Sequence, residues 1–238
     1  MKKKKKRNEE KSVRIQTSFL NAAEKKVLIW LAERTPMWIG SDLLTFIGFI
    51  GAVVIALGFI LSNLNVYFLL LTILGLVINW YGDSLDGTLA RVRKQQRPIY
   101  GFYIDHTVDA INESLMFMGV GMSPFMHFNL ACIMLVLYLM LTLNVTMNAH
   151  LKGEFRLTYA KLGPTEFRLI IIVVCALLIW VRPLREFIVE LPWIGGTIPC
   201  RILDVVGLMI LTVLILIYIV TIWQDAHYYA KIDPKPKK

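Results

Sequence analysis

The chain has 238 residues, 56% of them hydrophobic, and a formal net charge of +9. This composition is too apolar for an ordinary soluble domain and predicts a polytopic membrane protein. The three cysteines, Cys132, Cys175 and Cys200, are scattered, which excludes a disulfide framework and a cysteine-based zinc site. The basic N-terminus is not followed by an apolar stretch, so it does not have the pattern of a signal peptide.

The N-terminal segment, residues 1–40, is predicted to be a basic stretch followed by an amphipathic helix. Pro36 ends a pattern of apolar residues at helical spacing, which are Phe19, Leu20, Ala23, Val27, Trp30 and Leu31. Such a helix is typical of one that lies in the cytoplasmic interface of a membrane. A helix packed on its own protein is the alternative, and the two are compatible.

Six later segments are long and apolar enough to cross a bilayer core of about 30 Å. They fall near residues 42–62, 66–91, 103–123, 127–150, 167–182 and 203–224. The predicted fold class is therefore all-α. It comprises a six-helix transmembrane domain over residues 41–224 and a basic cytoplasmic tail over residues 225–238.

The basic residues predict the orientation of these segments. Of the 26 Lys and Arg residues, 23 lie before the first segment, after the second, after the fourth or in the tail. The other three are Arg182, Arg185 and Arg201. By the positive-inside rule, both termini are predicted to be cytoplasmic. Orientation and attraction to anionic membrane lipids explain the net charge, so nucleic-acid binding is not expected.

Four aspartates interrupt the second and third segments at their predicted cytoplasmic ends. Asp83 and Asp86 share one helical face, and so do Asp105 and Asp109. The linker between the segments is short, so we expect antiparallel neighbouring helices whose carboxylates face each other. Carboxylates this close need counter-charges, and oxygen ligands favour hard cations such as Mg²⁺, Mn²⁺ or Ca²⁺.

Small and basic residues on these helices suit phosphate chemistry. Gly87 and Ala90 share the aspartate face and leave a groove in which a ligand can approach the backbone. Arg91 offers a planar fork for phosphate, and Gly101 permits a tight turn into the third segment. Two cations and an arginine at one groove are what phosphoryl transfer requires.

These positions resemble the signature of the CDP-alcohol phosphotransferase, or CDP-alcohol phosphatidyltransferase, family. The matching residues are Asp83, Asp86, Gly87, Ala90, Arg91, Gly101, Asp105 and Asp109. One departure lies in the spacer, where nine residues separate Arg91 from Gly101 and the family usually has seven or eight. The spacer is predicted to be a loop, which tolerates one extra residue.

The resemblance implies a phosphotransferase of phospholipid biosynthesis, which transfers a substituted phosphate from a CDP-alcohol to an acceptor hydroxyl and releases CMP. It implies that Gly87, Ala90, Arg91 and Gly101 line the CDP-alcohol site. It also implies that two divalent cations, Mg²⁺ or Mn²⁺, are held by Asp83, Asp86, Asp105 and Asp109. Asp109 takes the role of general base. A cytoplasmic active site and a homodimer are expected on the same basis.

Two assignments of the donor remain open. One is CDP-diacylglycerol with a polar alcohol as acceptor, and the other is a CDP-choline-like or CDP-ethanolamine-like donor with a lipid acceptor. The pair Asp105-His106 and the stretch 163–166 resemble choline and ethanolamine phosphotransferases, but Phe102 stands where those enzymes have an acidic residue. We expect His106 to act as a base or to bind the acceptor. The alternative is a histidine bonded to a neighbouring carbonyl.

Several further polar residues have two interpretations each. Glu113, one turn after Asp109, and Asn79, one turn before Asp83, either support the cation ligands or are polar groups packed between helices. Four basic residues either bind an anionic substrate group or only set the orientation; these are Lys152, Arg156, Lys161 and Arg168.

The rival function is a membrane transporter or channel with an intramembrane acidic cation site. A transport path predicts carboxylates spread through the depth of the membrane. Here they cluster at one end of two helices, beside Arg91. Transport also gives no reason for the small residues Gly87, Ala90 and Gly101 in the same register.

Overall fold

The computed structural model describes residues 13–15, 20–152, 154–156, 163–193 and 196–235. Within these residues the chain is mostly helical. Eight α-helices follow in chain order: α1 Asn21–Arg34, α2 Ser41–Leu61, α3 Leu69–Val92, α4 Pro98–Gly121, α5 Phe128–Lys152, α6 Pro164–Trp180, α7 Arg182–Arg185 and α8 Ile202–Ile232. A 3₁₀ helix, Val66–Phe68, leads into α3.

Each of the six predicted membrane segments corresponds to one long helix, α2 to α6 and α8. Four of them, α2, α3, α5 and α8, are long and apolar enough to cross a membrane. The helix α4 carries three acidic residues, Asp105, Asp109 and Glu113. The helix α6 has 17 residues, which span about 26 Å and fall short of a full bilayer core. A count of six spans therefore stays a prediction.

Two short pairs of strands add to the predicted all-α fold. Strands β1 Val13–Ile15 and β2 Glu154–Arg156 pair in parallel. Strands β3 Ile188–Trp193 and β4 Gly196–Arg201 form an antiparallel hairpin between α7 and α8. Both pairs lie in segments that the sequence assigned to loops or to the N-terminal stretch, because runs of three to six residues are too short to show a strand period.

Helices α2 and α3 approach each other closely because glycines line their contact. A Cβ atom on Gly82 would touch the backbone nitrogen of Gly48 and lie 2.5 Å from the carbonyl oxygen of Leu44. A Cβ atom on Gly51 would collide with the backbone of Asn79. Small residues allow this approach of two backbones between membrane helices. We call this contact of α2 and α3, lined by Gly48, Gly51 and Gly82, the glycine seam. It fixes the position of α3 and of the aspartates that follow Gly82.

Apolar side chains form the core on both sides of this seam. One cluster joins α2, α3 and α6 and includes Ile55, Phe59, Leu69, Leu76, Phe125, Cys175, Leu178 and Ile179. A second cluster packs α1 against α2 and α3 through Leu28, Ala32, Leu44, Leu85 and Leu89. These contacts hold α1 on its own protein, which was one of the two interpretations of that helix.

The outer face of α1 remains apolar. Val27 and Trp30, from the predicted apolar stripe, are 46% and 52% exposed. The buried face is instead centred on Leu28 and Ala32, so the stripe predicted from the sequence is rotated relative to the buried one. An apolar outer face suits contact with lipid. The basic segment at residues 1–12 lies outside the described residues.

Two glutamates tie α1 to the rest of the bundle. Glu24 accepts hydrogen bonds from Trp80 Nε1 at 2.9 Å and from Thr165 Oγ1 at 2.5 Å. Glu166 Oε1 accepts a hydrogen bond from the backbone N–H of Leu20 at 2.9 Å. The start of α1 therefore contacts both α3 and the start of α6.

Polar bonds at both ends hold α8 against α5. Asp204, which is 1% exposed, accepts hydrogen bonds from the backbone nitrogen of His127 and pairs with its ring Nδ1, each at 2.7 Å. At the other end, Asp225 accepts bonds from Asn144 at 3.2 Å and Asn148 at 2.6 Å. Only 6% of the apolar window of α8 is buried, against 44% for α2. The helix α8 therefore lies at the periphery of the bundle.

Candidate metal centre

Three of the four aspartates predicted to bind cations come together between α3 and α4. Asp83, Asp105 and Asp109 each place one carboxylate oxygen within 4.8 Å of the others, and all three are half-buried. Hard cations bind oxygen ligands at 2.0–2.6 Å, so opposite ligands of one ion lie about 4–5 Å apart. The three carboxylates have the chemistry and the spacing to share a divalent cation.

The fourth aspartate, Asp86, turns towards α2. Its Oδ2 accepts a hydrogen bond from Thr45 Oγ1 at 2.6 Å, and its Oδ1 accepts one from the backbone N–H of Gly87. It still lies close enough to Asp83 and Asp105 to interact with them electrostatically. Thr45 therefore holds this carboxylate at the edge of the group, and its role as a cation ligand stays a prediction.

Arg168 of α6 reaches into the aspartate group. Its Nη2 lies 2.5 Å from Asp83 Oδ2, its Nε donates to Asn79 Oδ1 at 3.0 Å, and its side chain is 14% exposed. Asn79 in turn donates to the carbonyl oxygen of Gly48 at 2.9 Å. Asn79 thus positions the arginine, and Arg168 supplies a positive charge beside the carboxylates.

The sequence analysis gave Arg168 two roles, binding of an anionic group or orientation of the chain, and neither predicts its contact with Asp83. A guanidinium within an apolar helix needs a buried partner, and this requirement was the available signal. Of the basic residues grouped with it, Lys161 lies outside the described residues. So do the side chains of Lys152 and Arg156.

The groove predicted beside the aspartates is open on α3. A Cβ atom added to Gly87 would have Arg91 Nη1 at 3.4 Å as its nearest neighbour. Ala90 is half-buried on the next turn. Arg91 Nη2 donates to Thr88 Oγ1 at 2.8 Å, which directs the guanidinium back along the helix. The backbone near Gly87 is therefore accessible to a ligand.

Gly101 lies in the first turn of α4, at the entry into this helix. The helix begins at Pro98, a residue suited to the first helical position, and the N–H of Gly101 donates to the carbonyl oxygen of Arg97 at 2.7 Å. A Cβ atom there would meet nothing within 4 Å. The loop between α3 and α4 is correspondingly short.

One residue of this loop, Arg93, clamps the linker between α1 and α2. Its guanidinium donates to the carbonyl oxygens of Thr35 at 2.7 Å, Pro36 at 2.9 Å and Ile39 at 2.6 Å. Arg93 therefore holds the linker between α1 and α2 in place, in addition to its contribution to the orientation of the chain in the membrane.

His106 contacts its own helix. Its Nδ1 lies 2.9 Å from the carbonyl oxygen of Phe102, and its ring centroid lies 4.1 Å from that of Phe102. This contact matches the alternative of a histidine bonded to a neighbouring carbonyl. When Nδ1 carries the proton for this bond, Nε2 is the unprotonated ring nitrogen and is an acceptor. A role in catalysis stays a prediction.

The stretch 163–166 forms the start of α6. Glu166 Oε2 accepts a hydrogen bond from the N–H of Gly163 at 3.0 Å, as in a capping box, while its Oε1 holds Leu20. Pro164 occupies the first helical turn. Glu166 thus caps α6 and anchors α1.

Comparison with known proteins gives a match over most of the chain. A family model described as CDP-alcohol phosphatidyltransferase matches residues 38–230. The matched region begins just before α2 and includes every aspartate of the candidate centre. A search among curated proteins gave no match.

Proposed function

The chain belongs to the CDP-alcohol phosphatidyltransferase family, and we propose that it transfers a substituted phosphate from a CDP-alcohol to an acceptor hydroxyl with release of CMP. Membership makes it a phosphotransferase of phospholipid synthesis, and its four long apolar helices make it an integral membrane protein. The convergence of Asp83, Asp105 and Asp109 within 4.8 Å is the observation that carries the proposed reaction. The family also provides a better explanation of these carboxylates than a transport path does.

We assign two divalent cations, Mg²⁺ or Mn²⁺, to Asp83, Asp86, Asp105 and Asp109. The all-oxygen donor set fits hard cations, and the spacing of three of the carboxylates fits a shared ion. When bound, such cations neutralise the charge of a diphosphate and of the phosphate being transferred.

The other motif residues suit binding of the donor. The open backbone near Gly87 and Ala90 gives the diphosphate access to α3, with Arg91 as a fork for one phosphate. Gly101, on α4, has open space around it on the other side of the short loop. These four residues are the proposed CDP-alcohol site.

Asp109 is the proposed general base. The acceptor oxygen attacks the phosphorus that bears the alcohol moiety, and the bond from that phosphorus to the CMP oxygen breaks. The hydroxyl proton passes to Asp109, and a phosphodiester forms. His106, three positions before Asp109 on the same helix, is proposed to assist this proton transfer through Nε2. Its bond to the Phe102 carbonyl supports this tautomer.

The proposed membrane arrangement has six spans, α2 to α6 and α8, with both termini and the site at the cytoplasmic face. The proposed units are an interfacial segment at residues 1–40, the catalytic domain at residues 41–224 and a tail at residues 225–238. The basic flanks of the apolar helices support this orientation. A homodimer remains part of the proposal.

Both substrate pairs remain candidates: CDP-diacylglycerol with a polar alcohol, and a CDP-choline-like or CDP-ethanolamine-like donor with a lipid acceptor. The resemblance of the stretch 163–166 to choline and ethanolamine phosphotransferases has limited weight here. Glu166 accepts hydrogen bonds from the backbone of Gly163 and from that of Leu20 at the start of α1, so a structural role accounts for it.

The test is release of CMP by the purified protein in lipid nanodiscs, with a panel of CDP-alcohols and acceptors. We expect turnover that stops in EDTA and returns with Mg²⁺ or Mn²⁺. Asp109→Asn should lower turnover by about 10²-fold or more, because a positioned base contributes that much. Glu190→Gln, in the hairpin far from the aspartates along the chain, is the matched control. Turnover that survives thorough chelation would contradict the two-cation site, and near-normal Asp109→Asn activity would remove that base.

A further inference from the structure

The helix α4 carries a polar pair, Asn112 and Glu113, that the proposed reaction does not use. These residues are three and four positions after Asp109, so they flank the face that bears Asp105 and Asp109. Asn112 is only 5% exposed. They lie one helical turn beyond the candidate metal centre, towards the middle of the bundle.

Each residue of the pair has a buried oxygen without a partner. Among the described residues, neither Asn112 Oδ1 nor Glu113 Oε2 has a hydrogen-bond partner. Buried polar atoms in proteins are nearly always satisfied, because desolvation without a replacement bond is costly. An amide oxygen and a carboxylate oxygen both accept hydrogen bonds. The pair therefore suits a ligand that brings at least two O–H or N–H donors.

The surroundings define the charge of such a ligand. Tyr138 of α5 lies close enough to Glu113 to interact with its carboxylate, and so do Asp83 and Asp109. Among the described residues, Arg168 interacts electrostatically with Tyr138, but its guanidinium already pairs with Asp83. The proposed cations offset the charge of the four aspartates, which leaves the carboxylate of Glu113 without an assigned cation. A carboxylate at this place repels a phosphorylated alcohol and suits an uncharged or cationic one.

The length of the ligand follows from the helix. Residues four positions apart are separated by about 6 Å along a helix axis. A small alcohol can therefore place its oxygen, either as a free hydroxyl or already bonded to the phosphate, beside Asp109 and a second donor at Glu113. A lipid acceptor with a single hydroxyl would leave the oxygens of the pair unsatisfied.

Resting on the proposed function, we propose that Asn112, Glu113 and Tyr138 bind the head-group alcohol of the reaction. This alcohol is small, uncharged or cationic, and has at least two hydrogen-bond donors, as a polyol or an amino alcohol has. The same chemistry can come from two sources, a free alcohol that acts as acceptor or the head group of a CDP-linked donor.

The experiment has one arm for each source. The first pairs CDP-diacylglycerol with ethanolamine, glycerol, inositol or glycerol 3-phosphate, and the second pairs CDP-ethanolamine with diacylglycerol. CMP release is measured for wild type, Glu113→Gln, Asn112→Ala and Tyr138→Phe, with Glu190→Gln as the control. We expect Glu113→Gln and Tyr138→Phe to raise the KM for the alcohol-bearing substrate at least tenfold. The KM of the other substrate and the Mg²⁺ requirement should stay unchanged.

The outcomes separate this inference from the proposed function. A KM effect confined to one arm supports the subsite and identifies the source of the alcohol. Unchanged KM values in every variant, with CMP release still lost in Asp109→Asn, would mean that the two oxygens hold only water. A wild type that uses glycerol 3-phosphate better than every unphosphorylated alcohol also overturns the subsite. Absence of CMP release by wild type in both arms overturns the reaction and the subsite together.

Folding is controlled separately. Each variant is compared with wild type by size-exclusion profile and thermal unfolding before kinetics. If Glu113→Gln or Asn112→Ala does not fold, Tyr138→Phe carries the test because it removes a single oxygen atom. A folded Tyr138→Phe with wild-type KM values in the productive arm would then overturn the proposed subsite.

Discussion

Asp86 illustrates how one hydrogen bond at the scale of a residue can alter an assignment made from spacing. Its place in the motif gives its helical face, but the direction of the carboxylate depends on Thr45, 41 positions earlier in the chain. A pattern within one helix contains no information about a hydroxyl on another. The sequence therefore predicts the aspartate group and leaves the orientation of Asp86 open.

Thr45→Val tests whether this hydrogen bond prepares Asp86 to bind a cation. Valine has nearly the same shape but no hydroxyl, so the carboxylate loses its orienting donor. We expect the Mg²⁺ concentration for half-maximal CMP release to rise about tenfold, the lower end of the effects seen for supporting residues. Thr212→Val is the control, since that hydroxyl donates to the carbonyl oxygen of Leu208 in its own helix. An unchanged Mg²⁺ requirement would contradict this role of Thr45.

Arg168→Gln tests the charge balance of the aspartate group. Asp83 would lose a partly buried counter-charge, a change that costs about 3–5 kcal/mol when one partner of a buried pair is removed. We expect a lower melting temperature in EDTA, part of which added Mg²⁺ restores. Arg182→Gln is the control because its pair with Glu186 is exposed. Equal melting temperatures for Arg168→Gln and wild type in EDTA would show that Arg168 is not needed to balance Asp83.

At the scale of the elements, the glycine seam makes α2 and α3 one unit that carries Asp83. Gly82→Ala would force a methyl group into the backbone of α2, and overpacking of this kind costs about 1–3 kcal/mol. We expect a lower melting temperature and loss of activity. Gly40→Ala is the matched control, because a Cβ there meets nothing within 4 Å. A Gly82→Ala protein as stable as Gly40→Ala would mean that α2 and α3 can move apart to admit a methyl group at no measurable cost in stability.

The elements also show where sequence reasoning works and where it stops. Long apolar runs predict α2, α3, α5 and α8 to within a few residues at most ends, because burial in lipid demands such runs. The hairpin of β3 and β4 was not predicted, because its pairing depends on contacts across a turn. The ion pair of Arg168 with Asp83 was not predicted either, because it depends on the placement of α6 beside α3.

At the scale of the whole molecule, the orientation in the membrane is still a prediction. Thr197→Cys in the hairpin and Lys235→Cys in the tail should be labelled from opposite sides in intact cells, because the basic flanks favour a cytoplasmic tail. A membrane-impermeant maleimide, applied before and after permeabilisation, makes the measurement. The variants are made in a background with Cys132, Cys175 and Cys200 replaced by serine or alanine. Labelling of both sites from the same side would contradict the six-span arrangement.

The glutamates that anchor α1 also bear on how the chain is made. Leu20 and Glu166 are 146 positions apart, and Glu24 and Thr165 are 141 positions apart. The ribosome therefore completes α1 long before its partners on α6 exist. The first helix to be synthesised is therefore among the last to complete its contacts. Its apolar outer face can bind the lipid surface until α6 has been made.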